Sequence, residues 1–270
     1  MAGINRSDRL PFAGALRDLA VTVLLWSYFT VGFVILFSPF YLLALVLGKH
    51  RERAFQRLNC RFYRGFFFLL RRLIPACRWR IDPAAAAVRG SVVVSNHVSY
   101  LDPILLISLF PRHRTIVKNR LFQIPLFGRM LALSGYLPAA AGGRFGHLTI
   151  EGIASMPDFL AAGGNLFVFP EGTRSRNSRI GRFNPGAFKV ARNCKAPIVV
   201  LRIRNSDRLF TPGRFSFNAG RPNTIFLDVV DRIAPDDPRY TLPLAELTDE
   251  VRKQGFAREM AALPAAQPPL

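Results

Sequence analysis

From Leu19 to Leu47 the chain carries no charged residue. An apolar stretch longer than about 20 residues is long enough to cross a bilayer as a helix. It is too long for the apolar region of a secretory signal, and no small-residue cleavage site closes it. Ser38-Pro39 interrupts the run, so one kinked span and a partly inserted, re-entrant hairpin are both compatible with the pattern. A buried core helix is the third reading, disfavoured because globular domains rarely use so long an uncharged helix.

Charge then returns with one sign. Lys49, Arg51, Arg53, Arg57, Arg61 and Arg64 follow the run, against Arg6, Arg9 and Arg17 before it. The positive-inside tendency puts the side after residue 48, and the rest of the protein, in the cytoplasm. At 100° per residue Arg53, Arg57, Arg61 and Arg64 share one helical face, with Phe55, Leu58, Phe62, Phe66, Leu69 and Leu73 opposite. The expectation is an interfacial helix, its aromatic face in the acyl boundary and its arginines at lipid phosphates. The plain alternative is a surface helix packed on its own core. Lys plus Arg number 37 against 17 Asp plus Glu, a net charge of +20. Such a balance suits anionic lipid or nucleic acid. No nucleic-acid-binding module is recognisable and the arginines accompany an uncharged run, so lipid is the expected partner and nucleic acid is not.

Beyond Pro75 short apolar runs alternate with helical stretches, the pattern of an α/β domain. Strands are predicted near Arg78 to Ile81, Ser91 to Ser95, Thr115 to Lys118, Gly135 to Leu137, Asn165 to Phe169, Pro197 to Arg204 and Thr224 to Val230. A helix is predicted from Asn184-Pro185 to about Asn193, with Asn184 as cap and proline in the first turn, and another from Leu244 to Met260. The expected fold is α/β: a mixed, largely parallel sheet of about seven strands flanked by helices, with an N-terminal membrane-embedded helical segment. The expected divisions are an anchor and basic helix at 1–75, the α/β domain at 76–262 and a flexible tail at 263–270.

Two stretches carry candidate chemistry. Ser95-Asn96-His97-Val98-Ser99-Tyr100-Leu101-Asp102 follows a β-branched run, so His97 leaves the sheet at a strand's carboxyl end, where ligands collect in open α/β sheets. A neutral imidazole accepts a hydroxyl proton near pH 7, and a carboxylate on its other nitrogen fixes the tautomer. These eight residues fit equally well a His that caps a helix and a first-turn acid. Phe169-Pro170-Glu171-Gly172-Thr173-Arg174-Ser175 follows a second strand. Its arginine has the planar fork that matches phosphate, and its glycine permits close backbone approach. Taken alone, Glu171 and Arg174 are as consistent with a turn in which they pair with each other.

The two stretches, in this order, resemble the first and third blocks of the glycerolipid acyltransferases, which acylate glycerol 3-phosphate and lysophosphatidic acid. The resemblance spans roughly residues 90 to 205. The glycine-led segment Gly135 to Arg144 is similar to the second block, but longer and without the acid before its arginine. Ala196 to Leu201 is similar to the fourth, with Val200 where a second proline is usual. The resemblance implies a membrane-bound O-acyltransferase acting by direct transfer, most simply onto 1-acyl-glycerol 3-phosphate, with lyso-ornithine lipid or another lysolipid as rival acceptors. A non-catalytic adaptor that holds anionic lipid is the other class. His97 becomes the base and Asp102 its orienting acid; Glu171, Gly172, Thr173, Arg174, Arg144 and Asn96 become substrate-binding residues. Backbone N–H groups near the first block are expected to stabilise the oxyanion. The donor is acyl-CoA or acyl-acyl carrier protein, no cofactor is required, and the inner membrane, cytoplasmic face, is the expected location.

Other side chains point to less. Cys60, Cys77 and Cys194 lack metal-ligand spacing and His50, His97, His113 and His147 form no ligand pair, so neither metal nor disulfide is expected. Cys194 has no assigned base and reads as an inert thiol. No G-x-S-x-G elbow surrounds Ser99, which argues against an acyl-serine. Arg112-His113-Arg114 reads as a solvated basic cluster, with attraction for acidic donors as its functional alternative.

Overall fold

The computed structural model describes residues 6–140, 143–174 and 180–257, with side chains from residue 14. The tail expected at 263–270 lies outside these, as does Ser175. The chain runs α1 (Arg6–Ser27), a π-helical stretch (Tyr28–Phe37), α2 (Ser38–Leu47), α3 (Arg51–Leu73), β1 (Cys77–Ile81), α4 (Pro83–Ala86), β2 (Val92–Ser95), α5 (Leu101–Leu109) and β3 (His113–Val117). It continues through α6 (Asn119–Phe122), α7 (Phe127–Leu133), β4 (Leu137–Pro138), α8 (Gly146–Ala154), α9 (Met156–Ala161), β5 (Asn165–Val168), α10 (Gly186–Asn193), β6 (Ile198–Arg204), α11 (Ser206–Leu209), β7 (Asn223–Ile233) and α12 (Leu244–Ala257).

One seven-stranded sheet has the order β1-β7-β6-β2-β5-β3-β4. Every neighbouring pair is parallel except β6 with β7. Central β2 is Val-Val-Val-Ser and wholly buried, as expected for a strand covered on both faces. Because side chains alternate, Val92 and Val94 face α9, α10 and α12, while Val93 faces α5 and the Phe62-Tyr63 step of α3. All seven predicted strands are present. The helix expected from Asn184-Pro185 starts one residue later: Asn184 Oδ1 accepts the Gly186 N–H at 2.8 Å.

Gly14–Leu47 is a helix long and apolar enough to cross a membrane, with mean hydropathy 2.3 and 6% of its most apolar window buried. It does not stand alone. Tyr28, Phe29, Phe33 and Phe37 all place their rings 5.1–5.7 Å from Phe62 of α3, and the Tyr28 hydroxyl donates to the Phe62 carbonyl at 2.8 Å. Gly65 permits this contact, since a Cβ there would collide with that hydroxyl. The opposite face of this rod, including Val34, Ile35, Leu43, Val46 and Leu47, is exposed.

Helix α3 corrects the interfacial expectation. Phe55, Phe62, Phe66 and Leu70 are buried against the protein's own core, and only the arginine face is open. The division expected at residue 75 therefore does not separate two cores. The cluster Arg112-His113-Arg114 is corrected as well: His113 is fully buried and Arg114 nearly so. Arg114 makes two bonds to Glu52 of α3, Nε to Oε1 at 2.8 Å and Nη2 to Oε2 at 2.9 Å. A directional chain of hydrogen bonds runs beside it. The Tyr41 hydroxyl donates to Asn59 Oδ1; Asn59 Nδ2 donates to the Tyr136 oxygen at 3.2 Å; Tyr136 O–H reaches His113 Nε2 at 2.6 Å; and His113 Nδ1–H reaches the Phe110 carbonyl at 2.6 Å. This chain ties rod, α3 and sheet together.

Candidate functional site

β2, β5 and β6 are adjacent and parallel, so the segments leaving their carboxyl ends meet at one edge of the sheet. After β2 the backbone turns so that His97 Nδ1 lies 3.0 Å from Asp102 Oδ2. The same oxygen accepts the N–H groups of Val98 and Ser99, each at 2.7 Å, and Oδ1 accepts the Ser206 hydroxyl at 2.6 Å. Asp102 is fully buried, yet four donors surround it, the condition under which a buried carboxylate is tolerated. A carboxylate only accepts, so the His97 proton sits on Nδ1. Nε2 is left as the basic nitrogen, and no hydrogen bond among the described residues engages it. The ring stacks on Phe169 at 4.4 Å between centroids and 27° between planes.

The loop after β5 is pinned to this base. Glu171 Oε1 accepts the His97 N–H at 3.2 Å, and Oε2 accepts the Gly181 N–H at 2.9 Å. Gly172, at φ +66°, closes the turn with its N–H on the Phe169 carbonyl at 3.0 Å, a backbone conformation that favours glycine. The Arg174 guanidinium lies 3.4 Å over the centroid of the Tyr100 ring. Its Nη1 is buried with no hydrogen-bond partner among the described residues. Base, orienting acid and an arginine with an unused donor thus occupy one patch.

Residues 80–204 match the family model described as Acyltransferase, and that interval holds every group just named except Ser206. Over that interval the chain is similar to the Acyltransferase family. It is 31% identical over 122 residues to the chloroplastic 1-acyl-sn-glycerol-3-phosphate acyltransferase BAT2 of Brassica napus, covering 45% of this chain and 35% of that protein. It is 34% identical over 139 residues to the 1-acyl-sn-glycerol-3-phosphate acyltransferase of Saccharomyces cerevisiae, covering 50% of this chain and 45% of that one. The matches therefore span between a third and a half of these relatives' own length. The crystal structure of the 1-acyl-sn-glycerophosphate (LPA) acyltransferase PlsC from Thermotoga maritima superposes with a TM-score of 0.67 at 21% identity, over 93% of this chain and 98% of that chain. At that identity the likeness establishes a shared fold.

The structure sorts the expected site residues. Asn96 is buried, its amide donating to the Ile203 carbonyl and accepting the Ile203 N–H, both at 2.8 Å. It extends the β2–β6 pairing by one side chain and so fixes where His97 emerges. Thr173 and Gly172 are exposed beside the dyad. Arg144 follows β4, whose carboxyl end lies on the same edge of the sheet as that of β2. It sits exposed on a turn after β4, its guanidinium 5.9 Å from the centroid of the Phe145 ring. Of the backbone donors near the first block, the N–H groups of His97, Val98 and Ser99 are taken by Glu171 and Asp102. Ser99 Oγ donates to the Phe210 carbonyl at 2.9 Å and is no nucleophile. Burial raises the proton affinity of the Cys194 thiol, which keeps it unreactive. Ser206 is the residue that sequence reasoning missed. A serine after a strand carries no local signal, and only the β6–β2 pairing brings its hydroxyl to Asp102.

Proposed function

We propose that this protein transfers a fatty acyl group from acyl-CoA or acyl-acyl carrier protein to the free hydroxyl of 1-acyl-glycerol 3-phosphate, giving phosphatidic acid. The observation that carries the proposal is the His97–Asp102 dyad pinned through Glu171 to the loop that bears Arg174. His97 Nε2 takes the acceptor hydroxyl proton while that oxygen attacks the thioester carbonyl carbon. As the tetrahedral intermediate collapses, the C–S bond breaks and the leaving thiolate recovers the proton from His97, so the enzyme ends unchanged. Asp102 holds the ring and stabilises the transient imidazolium, and general base assistance of this kind contributes about 10²- to 10⁴-fold. Arg174 is the group suited to the acceptor phosphate, through the planar fork of its guanidinium.

The exposed apolar face of the rod supports a lipid location for this chemistry. Its apolar face is exposed along its length while its other face packs on α3. A perpendicular crossing would carry the exposed arginines of α3 into hydrocarbon, at roughly 2.5–3.5 kcal/mol each on insertion scales. Lying in the plane of one leaflet, the same rod buries its apolar face and keeps those arginines at headgroup level, on the cytoplasmic side that the flanking charges favour.

The test is product analysis by mass spectrometry after offering the purified protein one acyl thioester and a panel of lysolipids. His97→Ala is expected to lose at least about 10²-fold in lysolipid-dependent thioester consumption and to sediment with vesicles as wild type does. Unimpaired transfer by that variant refutes the mechanism. Thioester consumption with no lysolipid dependence refutes the activity.

A further inference from the structure

The dyad occupies the carboxyl edge of the sheet. At the opposite edge, where β3 begins at His113 beside Asn165 of β5, a cleft of about 610 Å³ opens between the first turn of α3, β3 and α9. Arg51, Arg53, Arg112 and Arg114 line it, against the carboxylates of Glu52 and Asp158. Glu52 is committed to Arg114 and to Gln56, and Asp158 is exposed. Among the described residues the Arg112 side chain meets the Ala162 carbonyl and the ring of Phe159, 5.4 Å from its guanidinium, and no carboxylate within ion-pair distance. Among the described residues no ion pair engages Arg51 or Arg53. Four guanidiniums thus face two carboxylates in this cleft, one of them already engaged by Arg114. Burial, with the nearby guanidiniums of Arg53, Arg114 and Arg57, pulls the proton affinity of Arg112 below the ordinary arginine range, and Glu52 offsets this only in part. An anion seated there offsets that excess of positive charge, and a guanidinium fork suits phosphate oxygens.

The position of the cleft selects the anion's carrier. Val46 and Leu47, 73% and 70% exposed, end the apolar rod. The chain then passes within three residues to His50 in the cleft wall. An amphiphile with its anion among these arginines would have its tails against that apolar end. We propose that the cleft is a lipid site separate from the dyad, taking the phosphodiester headgroup of an anionic phospholipid. Soluble phosphate and the acidic surface of a protein lack the tails that the rod's end would cover.

Native mass spectrometry of the full chain in neutral detergent, after adding phosphatidylglycerol, phosphatidylcholine or inorganic phosphate, tests this. Wild type is expected to retain one phosphatidylglycerol and no phosphatidylcholine. Arg53→Glu, at an exposed side chain, and the double variant Arg53→Gln/Arg112→Gln each remove two units of charge and are expected to lower retention at least about 10-fold. Arg61→Gln/Arg72→Gln removes the same charge from α3 outside the cleft and is expected to change retention less than about 3-fold; attraction to a bilayer surface is similar whichever arginine is removed, so a detergent assay isolates the site. Equal losses in all three variants, equal retention of phosphatidylcholine, or phosphate binding without retained lipid would each overturn the proposal. Acyl transfer to a detergent-dispersed lysolipid should survive in all three variants, so failure of the lipid site and failure of the catalytic reading are separable.

Discussion

Lowering the pH should destabilise the fold through His113, far from the dyad. Burial drops its pKa from 6.5 to about 4, with the Phe110 carbonyl opposing part of the shift. The hydrogen-bond chain gives the reason: Nδ1–H is held by Phe110, and Nε2 already accepts the Tyr136 hydroxyl. A second ring proton would force that hydroxyl to turn away. Between pH 6.5 and 4 the unfolded state binds this proton and the folded state does not, so stability falls as pH falls. The contribution is fully present above about pH 6.5 and lost progressively down to about pH 4. A shift of 2.5 units at 1.36 kcal/mol per unit amounts to about 3 kcal/mol in total, with about 2 kcal/mol lost between pH 7 and 5. The assay is denaturant unfolding in neutral detergent at several pH values, comparing wild type with His113→Gln. The variant is less stable at pH 7, because its amide fits the chain poorly, but its pH slope should be shallower by the amount given. Contributions from the other histidines and the carboxylates cancel in the comparison. Parallel pH profiles for the two proteins would refute the reasoning.

Other consequences follow from the same geometry. Ser206→Ala removes one of four donors to the buried Asp102 carboxylate; a bond to a charged group contributes about 1.5–3 kcal/mol, and if part of this acts on the transition state kcat should fall about 10-fold with KM for the acceptor little changed, whereas an unchanged kcat would remove Ser206 from the site. Val34→Asp/Ile35→Asp, at side chains 62% and 64% exposed on the rod, should weaken vesicle partitioning by at least about 10²-fold, given roughly 1.5–3 kcal/mol per buried aliphatic side chain. Its circular dichroism and detergent-phase stability should match wild type, and undiminished sedimentation with vesicles would contradict a rod lying in the leaflet.

Much of this architecture is written locally. The β-branched run at Val92–Val94, the alternation of short apolar runs after Pro75 and the uncharged stretch before Gly48 each specify an element through periodicity and length, which neighbouring residues carry by themselves. The histidine-acid spacing and the Glu-Gly-Thr-Arg turn were legible for the same reason: each is a short segment at the end of one strand. What the sequence could not decide is which surfaces meet. The aromatic face of α3 has one hydrophobic pattern whether lipid or protein covers it, and only packing against α5 and the rod made it protein. His113 and Arg114 look solvated beside Arg112 until Tyr136, Glu52 and Phe110, all fixed by tertiary contacts, surround them. Asn96 was legible as part of a motif, but its bonds to Ile203 and the Ser206 bond to Asp102 span more than a hundred residues of chain. Hydrophobic periodicity is a property of a single segment, whereas a hydrogen-bond partner is a property of the strand order, and that order exists only once the sheet has closed around β2.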